Sequence, residues 1–190
     1  MRALTYFVAT SLDGRIAGPD GDWSAFPTEG DHLDMILASW SDTLPAHVLA
    51  ALGREPDGTR FDAVLMGWET YAVGLPLGVT SPYPHLEQVV VSRRHGPEDV
   101  PTDVRVVGDP LAEVRRLKQQ PGAGIWLCGG GALAASVAEE IDRWVLKVNP
   151  VVMGDGVPLL HGGGYAPRDL VLTACTPYRS GVVVLEYERA

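Results

Sequence analysis

The chain has 190 residues, 46% of them hydrophobic, and a formal net charge of −9. That length fits one compact domain, and the apolar content supplies a sizeable core. The acidic balance excludes a nonspecific nucleic-acid or anionic-membrane binder, which needs a basic face, and no apolar run approaches the roughly 18 residues of a membrane span.

Residues 2–9 are β-branched and aromatic enough for a buried first strand and lack a signal-peptide cleavage pattern. Cys128 and Cys175 make neither a disulfide framework nor a metal set, so a reducing cytoplasm is the expected compartment. Residues 10–23 follow as a loop dense in Gly and Asp, and a long loop directly after a core strand points to function. Two short helices are predicted over 31–40 and 44–52, with Leu33, Ile36, Leu37 and Trp40 on one face of the first. A second strand covers 61–66, an irregular Pro- and Gly-rich connection 75–87, a third strand 88–92 and a short fourth 104–107. Asp109-Pro110 supplies an N-cap and a proline at the first helical position, and that helix runs toward Gln120. Strand 125–128 leads into Gly129-Gly130-Gly131 and a helix through about Ile141, then strand 144–148. Residues 170–174 and 182–187 read as an antiparallel hairpin. Strand alternating with helix predicts a single α/β domain: a mostly parallel sheet covered on both faces, closed at one edge by antiparallel strands.

Several familiar constellations fail. Residues 129–134 formally match G-x-G-x-x-A, but the next strand ends in Asn149-Pro150 rather than the acidic residue that would hold a ribose. His161-Gly162-Gly163-Gly164 resembles a hydrolase oxyanion loop, yet no G-x-S-x-G nucleophile elbow exists. The five histidines show no metal-ligand spacing. Cys128, in an apolar strand, reads as a small buried hydrophobe. What remains is spread over strand ends. Gly67 to Tyr71, Ser92-Arg93-Arg94 and Gly129-Gly130-Gly131 each stand at the carboxyl end of an apolar strand, and in an open α/β sheet those ends share the ligand-binding edge. A hydroxyl with two guanidinium groups suits a phosphate monoester, and crowded glycine N–H groups before a helix suit a pyrophosphate.

On these residues the chain resembles the dihydrofolate reductase-like superfamily, in the branch of the riboflavin-biosynthesis reductase C-terminal domain. The resemblance covers nearly the whole chain. It rests on Ser11-Leu12-Asp13-Gly14, Ile16-Ala17, Met66-Gly67, Thr70-Tyr71, Val91-Ser92-Arg93, Gly129-Gly130-Gly131, Leu133, Ile141-Asp142 and the stretch from Pro150 to Leu159. It implies a dihydrofolate reductase-like three-layer sandwich and an NADPH-dependent reductase of a small pterin- or pyrimidine-like substrate. Relatives of this branch commonly pair as homodimers, with the apolar C-terminal strands as a candidate interface.

By the same resemblance, Gly129, Gly130, Gly131, Ala132 and Leu133 would hold the cofactor pyrophosphate. Gly67 and Thr70 would contact its phosphates, and Ser92, Arg93 and Arg94 the adenosine 2′-phosphate. Ala9 and Ile16 would lie near the nicotinamide, with the loop from Thr10 to Ala17 bordering ring and substrate. The family usually carries Arg or Lys where this chain has Trp68, which leaves NADH as an alternative cofactor. Asp13 is the expected acid and substrate contact by resemblance, and otherwise an Asp-Gly turn former. Trp23 reads as a packing surface for a flat heterocycle or a partly buried loop anchor. Asp31 and Asp34 lie where a dihydrofolate reductase anchors its pterin, and Asp31 also reads as a helix N-cap. Two other classes stay open: a nucleotide-binding protein without catalysis, acting as sensor or assembly partner, and a hydrolase built on His161-Gly162-Gly163-Gly164.

Overall fold

The computed structural model describes residues 2–190. Its strands are β1 (Leu4–Thr10), β2 (Arg15–Ala17), β3 (Phe61–Gly67), β4 (Glu87–Val91), β5 (Val104–Val107), β6 (Gly124–Gly129), β7 (Arg143–Val148), β8 (Val157–Pro158), β9 (Leu170–Pro177) and β10 (Val183–Arg189). The helices are α1 (His32–Ser39), α2 (Ala46–Ala51), α3 (Trp68–Ala72), α4 (Pro110–Gln119) and α5 (Gly131–Ser136).

The main sheet runs β5-β4-β3-β6-β1-β7-β10-β9. β5 through β7 are mutually parallel, and β10 and β9 close the far edge antiparallel. The parallel strands read as apolar runs because helices cover both faces. Ile36 of α1 and Tyr71 of α3 join Phe7, Val64, Met66 and Val90 in one layer. Val114 and Leu117 of α4 with Leu133 and Ala134 of α5 join Tyr6, Leu65 and Leu127 in the other. The expected three-layer α/β sandwich with an antiparallel C-terminal edge is what the chain forms. The two central aromatics of β1 point to opposite layers: Tyr6 meets Trp144 edge-on at 5.5 Å, and Phe7 stacks on Trp40 at 4.4 Å.

Two features differ from the sequence expectation. The helix after the glycines ends at Ser136, because the backbone leaves helical geometry at Val137 and resumes as a 3-10 turn over Ala138–Glu140. The loop after β1 holds a strand of its own: β2 pairs with β8 in a small antiparallel ribbon outside the main sheet.

Asp42 ties the helical layer to the start of β3. Its carboxylate is 1% exposed and accepts N–H bonds from Gly58 (2.6 Å), Arg60 (3.0 Å) and Phe61 (3.2 Å). Removing it strands three inward-facing donors. Asp42→Ala is therefore expected to lower unfolding free energy by about 3 kcal/mol, read as a fall in urea midpoint at unchanged slope.

Candidate functional site

The parallel sheet brings the carboxyl ends of β4, β3, β6 and β1 to one edge in that spatial order, and every strand-end motif lies there. A Cβ built on Gly67 would stand 3.7 Å from both the Gly129 carbonyl oxygen and the Gly130 nitrogen. One on Gly130 would stand 4.0 Å from both Thr70 Oγ1 and Ile16 Cδ1. Ile16, Gly67, Thr70, Gly129 and Gly130 thus lie together, the Ile16 and Thr70 side chains against bare glycine backbone. Gly129 has φ +138°, a backbone region that favours glycine, and the Gly129–Gly130 peptide is cis.

The rest of the glycine motif divides by role. A Cβ on Gly131 would run into the Pro158 carbonyl oxygen, so this glycine permits close packing of the 150–159 loop. Ala132 is exposed, whereas Leu133 is buried in the core and offers a ligand only its backbone. The first turn of α5 leaves the N–H groups of Gly131, Ala132 and Leu133 without partners among the described residues; the first helical bond is Ala134 N–H to Gly130 O at 2.9 Å. With only six residues, α5 makes a smaller dipole than the longer helix expected from sequence.

At the end of β4, Ser92 Oγ accepts the N–H groups of Arg94 (3.1 Å) and His95 (3.0 Å). Those bonds fold the turn and leave the hydroxyl proton free to donate. Arg93 and Arg94 are exposed, and their guanidinium groups pair with no carboxylate among the described residues. Trp68, in the place of an expected cation, stacks on the His95 ring at 3.5 Å with planes 6° apart. His95 Nδ1 also approaches Asp99 Oδ2 at 3.3 Å.

The loop from Thr10 to Ala17 is held from outside itself. Ser11 Oγ accepts the Arg15 N–H at 2.9 Å and donates to Asp13 Oδ1 at 2.6 Å. The Asp13 carboxylate then accepts N–H bonds from Met153 (3.0 Å) and Gly154 (2.7 Å), some 140 residues away in sequence. The Ser11 hydroxyl and these backbone donors hold its pKa down at about 2. The expectation of Asp13 as an acid meets a carboxylate already ionised at neutral pH. Its geometry is that of a clamp between two loops.

Three further expectations are corrected. Asp34 is exposed, on the opposite side of α1 from buried His32 and Ile36, so its carboxylate is turned away from the sheet. Asp31 makes no side-chain cap of α1; it accepts the Arg179 (2.9 Å) and Ser180 (3.0 Å) N–H groups and pins the β9–β10 turn. Trp23 is 54% exposed, which leaves its indole partly open to solvent. In the hydrolase reading, the His161 N–H is bonded to the Gly131 carbonyl at 3.1 Å and so does not face an oxyanion.

One residue was missed. Lys147, near the carboxyl end of β7, pairs in register with Ala9, so the two side chains share a sheet face. Its Nζ lies 4.3 Å from the Phe7 ring centroid and makes no hydrogen bond or ion pair among the described residues. Burial lowers its pKa to about 8, against a smaller opposing effect of Cys128. Cys128, on the same face, is pushed up to about 12 by burial, and burial also raises Tyr83 beside it. The thiol is thus a neutral, inert group, as the sequence implied. The available signal for Lys147 was a lone cation in the otherwise apolar run 144–148. A hollow of about 500 Å³ lies at the opposite, amino-terminal edge of the sheet around Arg2, Arg60 and Gly122. It is remote from all the strand-end motifs.

Comparison with known proteins places this geometry. The family model described as the RibD C-terminal domain matches residues 2–184. Uncharacterized protein YwjB of Bacillus subtilis is 32% identical over 168 residues, covering 84% of this chain and 83% of that protein. Uncharacterized protein YyaP of the same organism is 43% identical over 79 residues, 40% of this chain and 42% of that protein. Among solved structures, one described as a riboflavin biosynthesis protein from Shewanella sp. PV-4 superposes with TM-score 0.74 at 20% identity, covering 99% of both chains. The diaminohydroxyphosphoribosylaminopyrimidine deaminase/5-amino-6-(5-phosphoribosylamino)uracil reductase of Thermotoga maritima gives TM-score 0.68 at 14% identity, over all of this chain and 57% of that one. The fold is dihydrofolate reductase-like.

The Lys147 ammonium destabilises the fold at neutral pH, because its folded pKa lies below the ordinary lysine value. The cost is fully present below about pH 8 and fades as pH rises toward 10.5, where both states are neutral. Lys147→Met is expected to unfold about 2–3 kcal/mol later at pH 7, a gap that narrows in urea titrations repeated between pH 8 and 10.5.

Proposed function

The chain belongs to the RibD C-terminal domain family, and from that premise we propose that it is a reductase that uses a nicotinamide dinucleotide, NADPH in preference to NADH, on a small heterocycle of pterin or pyrimidine type. The observation that carries this reading is the bare glycine backbone of Gly67, Gly129 and Gly130, with the Thr70 side chain against it, at the meeting of β3 and β6. Beside it lie unpaired N–H groups at the start of α5 and the unpaired Arg93 and Arg94 at the end of β4. Together they suit an elongated ligand with a pyrophosphate in the middle and a further phosphate at one end.

In this reading Gly129, Gly130 and the N–H groups of Gly131, Ala132 and Leu133 hold the pyrophosphate, with Gly67 and Thr70 against it. The Ser92 hydroxyl donates to the 2′-phosphate, and Arg93 and Arg94 neutralise it. The flat Trp68–His95 pair is a platform for the adenine. Ala9 and Ile16 border the ring that, when bound, supplies a hydride. The clamped loop from Ser11 to Ala17 aligns substrate against that ring and excludes water. Asp13 serves this alignment by holding the loop, and Asp34, turned to solvent, has no part in it. The β9 edge, with Leu170, Val171 and Leu172 exposed by 37%, 53% and 51%, pairs two copies into a homodimer.

Calorimetry with NADPH tests the cofactor directly: saturable binding is expected, and no heat at millimolar NADPH would sink the reading. Replacing both Arg93 and Arg94 by Ala is expected to weaken NADPH about 10- to 100-fold and leave NADH within two-fold. Equal losses for both cofactors would place the 2′-phosphate elsewhere. Binding without turnover of dihydrofolate, pterins or ribosylaminopyrimidines would instead favour a catalytically silent nucleotide sensor.

For the dimer, Leu172→Glu is expected to halve the mass measured by sedimentation equilibrium. A wild-type protein already monomeric at micromolar concentration would overturn the β9 pairing.

A further inference from the structure

The imidazole of His95 is held on one face and at one nitrogen, and left open at the other. Its face lies on Trp68, with ring centroids 3.5 Å apart and planes 6° from parallel. Nδ1 lies 3.3 Å from Asp99 Oδ2, an oxygen that also accepts the Gly96 N–H at 3.1 Å. An ionised carboxylate only accepts, so Nδ1 carries the hydrogen of that contact. Nε2 makes no hydrogen bond among the described residues and is not a buried atom, and the side chain is 35% exposed. That nitrogen is therefore where the ring gains or loses its proton in reach of a ligand.

The ring shares its turn with the groups that suit a phosphate. Ser92 Oγ accepts the backbone N–H groups of Arg94 and His95, so hydroxyl, guanidinium groups and imidazole leave the end of β4 together. The charged groups on the elements packed around the ring are few. Glu98 and Asp99 belong to the 3-10 turn Pro97–Asp99, and Glu69 is the charged residue of α3. Beyond β5, Asp109 is committed to the N-cap of α4 through the Ala112 N–H. Asp99 already serves two donors, and Arg93 and Arg94 pair with no carboxylate among the described residues. A charge gained at Nε2 thus adds to an unpaired positive cluster.

We propose that His95 is a specificity-determining residue: protonated Nε2 donates to the same terminal phosphate as Ser92 and the arginines, so that discrimination between phosphorylated and unphosphorylated adenosine ribose depends on pH. This rests on the reading of the strand-end edge as a nicotinamide dinucleotide site and adds to it a contact that titrates. The neutral ring offers Nε2 only as an acceptor, which a phosphate dianion cannot satisfy. The imidazolium offers a donor and a charge together. Stacking of a base on the flat Trp68–His95 pair persists in both states, so a dinucleotide without the 2′-phosphate feels little of the change. Affinity for NADP+ therefore falls as pH rises above about 6, where the phosphate is already a dianion and imidazole loses its charge.

The test is calorimetric titration of the full chain with NADP+ and with NAD+ at several pH values between about 6.5 and 8.5. In wild type, the preference for NADP+ over NAD+ is expected to fall about five-fold or more across that window. His95→Gln, which has no titrating charge, is expected to show a weaker preference that stays flat within about two-fold. His95→Arg, charged throughout and able to stack on Trp68, is expected to keep the low-pH preference to the upper end. Both variants retain the Ser92 bonds, which run to backbone N–H groups. A second readout is the Cε1–H resonance of His95, identified as the one missing from His95→Gln. Its titration midpoint is expected to rise on saturation with NADP+ and to stay in place with NAD+. A wild-type preference that is constant with pH, or a slope that survives in His95→Gln, overturns the assignment while leaving the cofactor reading intact. Absence of NADP+ binding at every pH overturns both.

Discussion

The Asp13 carboxylate, accepting the Met153 and Gly154 N–H groups, is the contact on which the candidate site depends. It joins two loops that leave neighbouring strands, β1 and β7. The β2–β8 ribbon extends the same junction, Leu159 N–H donates to Gly14 O at 2.9 Å, and Pro158 presses on Gly131. One chain of contacts therefore runs from the loop after β1, through the 150–159 stretch, to the glycine turn after β6. These three segments are held to one another by hydrogen bonds and close backbone packing. That explains why a charged residue does this work at the surface. A carboxylate can satisfy two N–H donors on a loop that has no strand to bond.

Charge is distributed with the same economy. Several cations are paired: Arg105 and Arg116 converge on Glu113 and Glu87, and Arg2 meets Asp62. Arg115 and Lys118 share Glu140. The net charge is −9, and these pairs lie away from the carboxyl-end edge of the sheet. Arg93 and Arg94 are exposed, and water alone accounts for their solvation at little cost.

Much of the fold was legible in the sequence. Parallel strands covered on both faces appear as apolar runs such as 61–66 and 125–128, and glycine or Ser-Arg at each exit marked the ligand edge. What stayed hidden depends on contacts that no local pattern encodes. β2 and β8 span three and two residues, too short for any periodicity. Asp13 reads as an acid or a turn former until its partners some 140 residues away are known. Asp31 has the residue type of an N-cap, yet the β9–β10 turn competes for its oxygens and wins with two N–H donors. Asp34 lies on the exposed side of α1, which its residue type alone does not reveal.

Trp68 shows how a departure from a family pattern can be absorbed. An Arg or Lys at that position would bring a charge to the first turn after β3. The indole brings none, but its stack on His95 at 3.5 Å links the start of α3 to the turn after β4. That turn is the one Ser92 folds with its two N–H bonds, and it carries Arg93 and Arg94. The positive charge has thus not been lost from this corner of the site; it comes from the neighbouring strand, while the β3 side supplies a flat apolar surface. Such an arrangement separates two tasks that a single Arg can combine, stacking and ion pairing. In the proposed reading, a base would meet Trp68 and His95 and its attached phosphate the arginine pair.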